Sequence, residues 1–227
     1  MTNKRVFHRI NIVLFILAIA CLIYYDGHRW LWLKGVTSAW FVAIGVFNLI
    51  YAFKTRAERM LPMYLITLGL FFGMLADILL GINFILGILS FALGHILYLF
   101  AFCLISRPCK NDLIFIMPLS ALSLFMVTAT PFIQISDPIL KPMLLGYAVL
   151  IGCMFGKAAS NFKNKRSKDR LFMLIGSAMF WFSDLMLAID MFGTGWYLAG
   201  PLCCYTYWPG QNILAYSLYH YVNENIL

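Results

Sequence analysis

The chain has 227 residues, 63% of them hydrophobic and only 11% charged, and its mean hydropathy is +0.85. Soluble domains carry about 25% charged residues, so this composition excludes a soluble globular protein and leaves an integral membrane one. The net charge of +8 falls in loops between apolar runs. It therefore reports topology, and no nucleic-acid partner is expected.

At roughly 20 residues per spanning helix, the length admits about eight spans in one transmembrane domain. The predicted fold class is an all-α, polytopic membrane helix bundle. The first run, 8–25, lacks a small-x-small cleavage site and reads as a span rather than a signal peptide. Further runs follow at 35–53, 62–81, 84–105, 112–130, 139–160, 170–191 and 197–219. Polar stretches separate several of them: KTRAER, RPCKND and NFKNKRSKDR follow the second, fourth and sixth runs. The runs do not alternate, so closed β-barrels are excluded and helices remain. Six cysteines without a CxxC pair read as apolar packing residues.

Thirteen of the seventeen Lys and Arg residues fall in the N-terminal tail and the 2–3, 4–5 and 6–7 loops. The positive-inside rule then predicts both termini in the cytoplasm. Trp30, Trp32, Trp40 and Trp196 fall near the opposite interface, as aromatic belts do. Multi-pass insertion in a bacterial inner (plasma) membrane is the expected location.

Two aspartates interrupt this apolar background: Asp77 in FFGMLADILLGI and Asp184 in FWFSDLMLAID. An ionisable group at membrane depth is costly and marks a functional site by default. Both occupy one local pattern, a small residue, Asp, three apolar residues ending in Leu, a small residue and Ile. The third and seventh spans run in the same direction, and both carboxyls should reach roughly 21–23 Å from the cytoplasmic side at about 1.5 Å per residue. The shared pattern hints at a four-plus-four repeat, which the other spans do not support.

Other polar groups fall near that depth: His95 and Tyr98 on one face of the fourth helix, Tyr147 on the sixth, and Tyr205, Tyr207, Gln211 and Asn212 on the eighth. Asn83 sits at the outer mouth and Ser183 precedes Asp184. Each could instead be interhelical glue. Lys34 either snorkels to headgroups or binds a substrate phosphate, and Asp190 reads as a solvated residue near the interface. One deep histidine is too few for a zinc site, so no metal is expected. No GxSxG elbow, P-loop or dinucleotide glycine pattern occurs, and no cofactor is implied.

At these residues the chain resembles the lysoplasmalogenase (YhhN-like) family of eight-helix membrane hydrolases. The carriers are FFGMLADILLGINFILGILSFALGHILYLFAF, GYAVLIGCM, LIGSAMFWFSDLMLAIDMF and WPGQNIL. Asp77, His95, Tyr98, Tyr147, Ser183, Asp184 and Gln211 match the family's motif positions. Lys34 resembles a family Lys that usually precedes Pro, where this chain has Gly35, and Ala76 stands where the family often has Gly. The resemblance implies hydrolysis of the sn-1 vinyl ether of lysoplasmalogens to a fatty aldehyde and glycerophosphoethanolamine or glycerophosphocholine. It implies Asp77, Asp184 and His95 as catalytic groups. Tyr98, Tyr147, Gln211, Ser183, Asn83 and Lys34 would meet a lysophospholipid substrate. A proton-coupled transporter and a non-catalytic lipid binder are the alternatives.

Overall fold

A computed structural model describes residues 4–128, 133–193 and 195–225. Every predicted run is a helix: α1 (Lys4–His28), α2 (Leu31–Thr55), α3 (Leu61–Leu80), α4 (Phe84–Ile105), α5 (Leu113–Thr128), α6 (Leu140–Asn164), α7 (Lys168–Phe192) and α8 (Ala199–Glu224). A short 3-10 turn, Lys110–Asp112, leads into α5. The last two residues of the fifth predicted run, 129–130, lie outside the described residues.

Punctuation seen in the sequence ends the helices for physical reasons. Arg56 takes a left-handed conformation (φ 55°) and its N–H closes on Ala52 O and Phe53 O, stopping α2. Asn83 caps α4 by accepting from Leu86 N at 3.1 Å. Asp137 accepts from Ile139 N and Leu140 N at 2.7 and 2.9 Å where α6 begins. Those two N–H groups hold its carboxyl below the ordinary carboxylate range.

Seven helices, α1 to α7, are long and apolar enough to cross a membrane when the lead-in turn is counted with α5. Helix α8 has the length, at 26 residues, but carries Gln211, Asn212, Ser217 and several tyrosines. The packing explains how so polar a helix is tolerated. α2, α3, α4, α6, α7 and α8 form a ring, each against the next, closed by α8 on α2. α8 also meets α1 and α3, so its polar groups turn inward. Asn48 of α2 donates to Ala215 O of α8 at 3.1 Å and exchanges 2.9 Å bonds with Asn11 of α1. Such bonds satisfy groups that lipid would leave unpaired.

α1 and α5 lie outside the ring and leave large apolar side chains exposed, among them Ile16, Ile23, Ile114, Met117 and Phe125. A polytopic membrane protein presents such a surface to lipid at no cost. Close approach is made at small residues. A Cβ on Gly156 of α6 would lie 2.5 Å from Ile116 Cα of α5, and one on Gly152 would lie 2.5 Å from Ser120 Cα. These obstacles are backbone and cannot swing aside. Gly156→Val should therefore push α5 off α6 and cost on the order of 3 kcal/mol by overpacking, read as a lowered unfolding midpoint in detergent. An unchanged midpoint would show that α5 is not held by this contact.

Candidate active site

The local pattern shared by α3 and α7 has a geometric consequence. Asp77 and Asp184 each lie sixteen residues beyond the first residue of their helices, Leu61 and Lys168. In both, Asp and the Leu three positions on share a helix face. Asp77, Leu80, Asp184 and Leu187 all line one cavity, with an empty volume of about 870 Å³. The residues just before the aspartates, Ala76 and Ser183, are fully buried against neighbouring helices. Tight packing behind each carboxyl turns it inward.

Each aspartate has its own set of partners. Ser38 Oγ of α2 donates to Asp77 Oδ2 at 2.5 Å, and Lys34 Nζ lies 3.5 Å from Asp77 Oδ1. Lys34 and Ser38 are four apart on α2 and so share a face. Trp208 Nε1 of α8 donates to Ser38 Oγ at 2.9 Å and fixes that hydroxyl from behind. The Tyr207 hydroxyl, which also donates to Gly73 O at 3.2 Å, sits beside Asp77.

Asp184 is held from α4 and α6. The Tyr147 hydroxyl donates to Asp184 Oδ2 at 2.5 Å. His95 Nε2 lies 2.8 Å from Tyr147 Oη and 3.3 Å from the same Asp184 oxygen. His95 is fully buried against Phe180, ring centroids 4.4 Å apart, and its Nδ1 has no partner among the described residues. Asp184 Oδ1 makes no hydrogen bond within the described protein, so one carboxyl oxygen is left for a ligand.

A second cavity meets the first at Asp184. It has an empty volume of about 740 Å³ and is walled by α4, α5, α6 and α7, through Ile88, Val127, Leu144, Ile151, Leu185 and Ala188 among others. Its lining is overwhelmingly apolar, with Tyr147, Ser123 and Asp184 as the polar exceptions. Leu80, Phe84, Phe91, Asp184, Leu187 and Met191 line both cavities.

The structure thus brings together Asp77, Asp184, His95, Tyr147 and Lys34. It does not bring Tyr98, Gln211, Ser183 or Asn83 to either cavity wall. Tyr98 donates to Gln211 Oε1 at 2.7 Å in a fully buried layer behind His95. Its ring also fills the space where a Cβ on Gly69 would go, 2.5 Å from Tyr98 Cε1. Ser183 donates to Phe180 O at 2.7 Å within its own helix, and Asn83 caps α4. These four support the helices that carry the site. Among the described residues no group of three or more His, Cys, Asp or Glu side chains is placed to hold a metal ion.

Sequence reasoning passed over Ser38, Trp208 and Arg29, and it noted Tyr207 without giving it a role. The signal for Ser38 was its four-residue spacing from Lys34. Trp208 carried no such signal, because its partner lies 170 residues away in the chain. Asp190, read as solvated, is exposed but stands at the rim of the polar cavity.

No curated protein and no solved structure matches the chain. A family model does: the one described as the YhhN family covers residues 36–218, a stretch that includes both aspartates, His95 and Tyr147. With the membrane helices, the paired cavities and this match over most of its length, the chain belongs to the YhhN family.

Proposed function

We propose that the protein hydrolyses the sn-1 vinyl ether of lysoplasmalogens, alkenyl-glycerophosphoethanolamine or -choline, by aspartate acid–base catalysis. The observation that carries this reading is the position of Asp184, at the junction of an apolar cavity and a polar one, with Asp77 on the polar side. A lysoplasmalogen has the same division. Its alkenyl chain fits the apolar cavity, its glycerophosphate end fits the polar cavity, and its vinyl ether falls at the junction.

The chemistry needs two carboxyls. A vinyl ether breaks when an acid protonates the alkenyl carbon one removed from the oxygen. That step leaves an oxocarbenium ion spread over the adjacent carbon and the ether oxygen. Water attacks that carbon while a base takes its proton, and the hemiacetal collapses to aldehyde and glycerol hydroxyl. Two-carboxylate glycosidases divide labour similarly at an oxocarbenium-like transition state. The carbon to be protonated lies on the chain side of the oxygen, which suits Asp184. Asp77, within the polar cavity and flanked by Lys34, Ser38 and Tyr207, suits the base that activates water and faces the cation. Tyr147 and His95 hold Asp184 and form a path for returning its proton. In this reading Lys34 also meets the glycerophosphate.

The orientation implied by the basic loops would open the polar cavity on the non-cytoplasmic side. Asp77 and Asp184 lie toward the ends of α3 and α7 away from those loops.

The test is purified protein given an alkenyl-glycerophosphoethanolamine in D₂O. Aldehyde should appear with an equal amount of glycerophosphoethanolamine and carry one deuterium on its second carbon, and the saturated alkyl ether should be untouched. Labelled lipid crossing liposome membranes with no aldehyde formed would replace hydrolysis with transport. Neither aldehyde nor flux would leave a binding protein.

A further inference from the structure

The rim of the polar cavity carries charge that the hydrolytic reading does not use. Arg29, in the turn between α1 and α2, lines this cavity with Lys34 and Asp77. It stands in the left-handed region, φ 55°, which residues with side chains seldom adopt. Its guanidinium is braced on one edge. It pairs with the Asp26 carboxylate, Nε donates to Asp26 O at 3.3 Å, and the group rides 5.8 Å over the Tyr25 ring. Asp26 is itself fixed, accepting from Tyr205 Oη of α8 at 3.0 Å. On the other edge, Nη1 meets only Cys204 Sγ, at 3.7 Å. Sulfur is a weak acceptor, so a held guanidinium keeps a donor edge for an anion.

The same cavity is also lined by Asp190, six residues beyond Asp184 on α7. It is exposed, and its carboxylate lies over Gly200 at the start of α8, where an added Cβ would come within 3.1 Å of Oδ1. Asp190 has no hydrogen bond or ion pair among the described residues. A cavity lined by two cations and an unpaired carboxylate is complementary to a zwitterion.

We propose that this rim is a receptor for a phosphoethanolamine headgroup, with Arg29 and Lys34 taking the phosphate and Asp190 taking the ammonium. The proposal rests on the hydrolytic reading only for the remainder of the ligand. Arginine presents two parallel N–H donors to phosphate oxygens. A primary ammonium brings three N–H donors to a carboxylate. A trimethylammonium brings none and is recognised by aromatic faces instead. Asp190 therefore ranks ethanolamine above choline.

The test measures binding, so it is independent of turnover. Non-cleavable saturated sn-1 alkyl-ether lipids are titrated into the detergent-purified full chain by calorimetry. The series is the phosphoethanolamine, phosphocholine and phosphate-only lipids and the headgroup-free alkylglycerol. Wild type should bind the ethanolamine lipid about a hundredfold more tightly than the alkylglycerol, about tenfold for each of the two charged ends. Arg29→Gln should weaken every phosphate-bearing lipid by about tenfold and leave the alkylglycerol unchanged. Asp190→Asn should lower only the ethanolamine lipid, to the level of the phosphate-only one. Soluble phosphoethanolamine should compete far more weakly than the lipid; equal competition would make the site one for a free metabolite and overturn the lipid assignment. Equal wild-type affinity with and without a headgroup would overturn the proposal, as would an ethanolamine–choline ranking that survives Asp190→Asn. Absence of aldehyde with this binding pattern intact would remove the hydrolytic reading alone.

Discussion

Asp184→Asn and Asp77→Asn each lower aldehyde release by about 10²–10⁴-fold, the usual contribution of a positioned acid or base. Both substitutions are nearly isosteric. An Asn at 184 still accepts from Tyr147 through its carbonyl oxygen, and one at 77 still accepts from Ser38. Neither variant should therefore lose its fold, and both should bind a saturated alkyl-ether lysolipid within a few-fold of wild type. The amide cannot deliver or take the proton, so the loss falls on kcat rather than on KM. The double variant separates catalysis from packing. If the two carboxyls act as one unit, losing both costs little more than losing one, because effects within a catalytic unit are far from additive. The measurement is single-turnover aldehyde release, with thermal unfolding as the control. Near-normal turnover by either single variant would reject the acid–base pair.

The second consequence of the pair is a pH–rate profile with two limbs, whose apparent values belong to the pair rather than to either residue. Tyr147→Phe removes the 2.5 Å bond to Asp184 without touching the substrate side of that carboxyl. It should move the profile along the pH axis as well as lower it. A profile that only scales down, with no movement of either limb, would make Tyr147 a packing group.

Much of this arrangement can be read from the residues alone, for identifiable reasons. Apolar runs of spanning length become helices because lipid offers backbone groups no other partner, so the element order needed no tertiary information. The structure lengthens the ends by a few residues, as at α1 and α8, because polar first and last turns still form helical hydrogen bonds beyond the apolar core. The two aspartates stood out because an uncompensated carboxyl has no structural reason to sit between FFGMLA and ILLGI. That His95 and Tyr147 lie near the depth of the aspartates follows from their positions along alternating helices; that both meet Asp184 does not. Which polar residues reach the cavity did not follow. Tyr98 and His95 share a face at i and i+3, yet His95 meets Asp184 while Tyr98 turns to Gln211 on α8. That choice is made by how α4 is rotated against α3 at Gly69 and Gly94, a feature of two-helix packing that no single-helix pattern encodes. Ser38 and Trp208 are partners across 170 residues and were invisible for the same reason.

The network around Asp112 is the clearest case of a long-range pairing, and breaking it has the largest expected effect on stability. Asp112 sits in the turn before α5 and is buried; it accepts from Lys157 Nζ at 2.7 Å, Ser160 Oγ at 2.5 Å and Cys109 N at 2.9 Å. The two α6 groups and the local N–H pin α5 to α6 at the end opposite Asp184, close to the contact made at Gly156. The donors hold the carboxylate in place, and Lys157 is 1% exposed, with no route to water of its own. Asp112→Ala would strand that ammonium in the protein interior, a loss of about 3–5 kcal/mol. For a chain of this size, this lowers the unfolding midpoint by on the order of 10 °C. The paired variant decides the cause. In Asp112→Ala with Lys157→Met no charge is left behind, and a buried ion pair replaced by apolar groups is often neutral. The midpoint should recover most of what the single change lost, while aldehyde release per folded molecule stays near wild type throughout. A double variant as unstable as the single one would mean that the turn before α5 depends on the Asp112 carboxylate for its own shape, through the Cys109 N–H. The buried charge pair would then be incidental to holding α5 on the bundle.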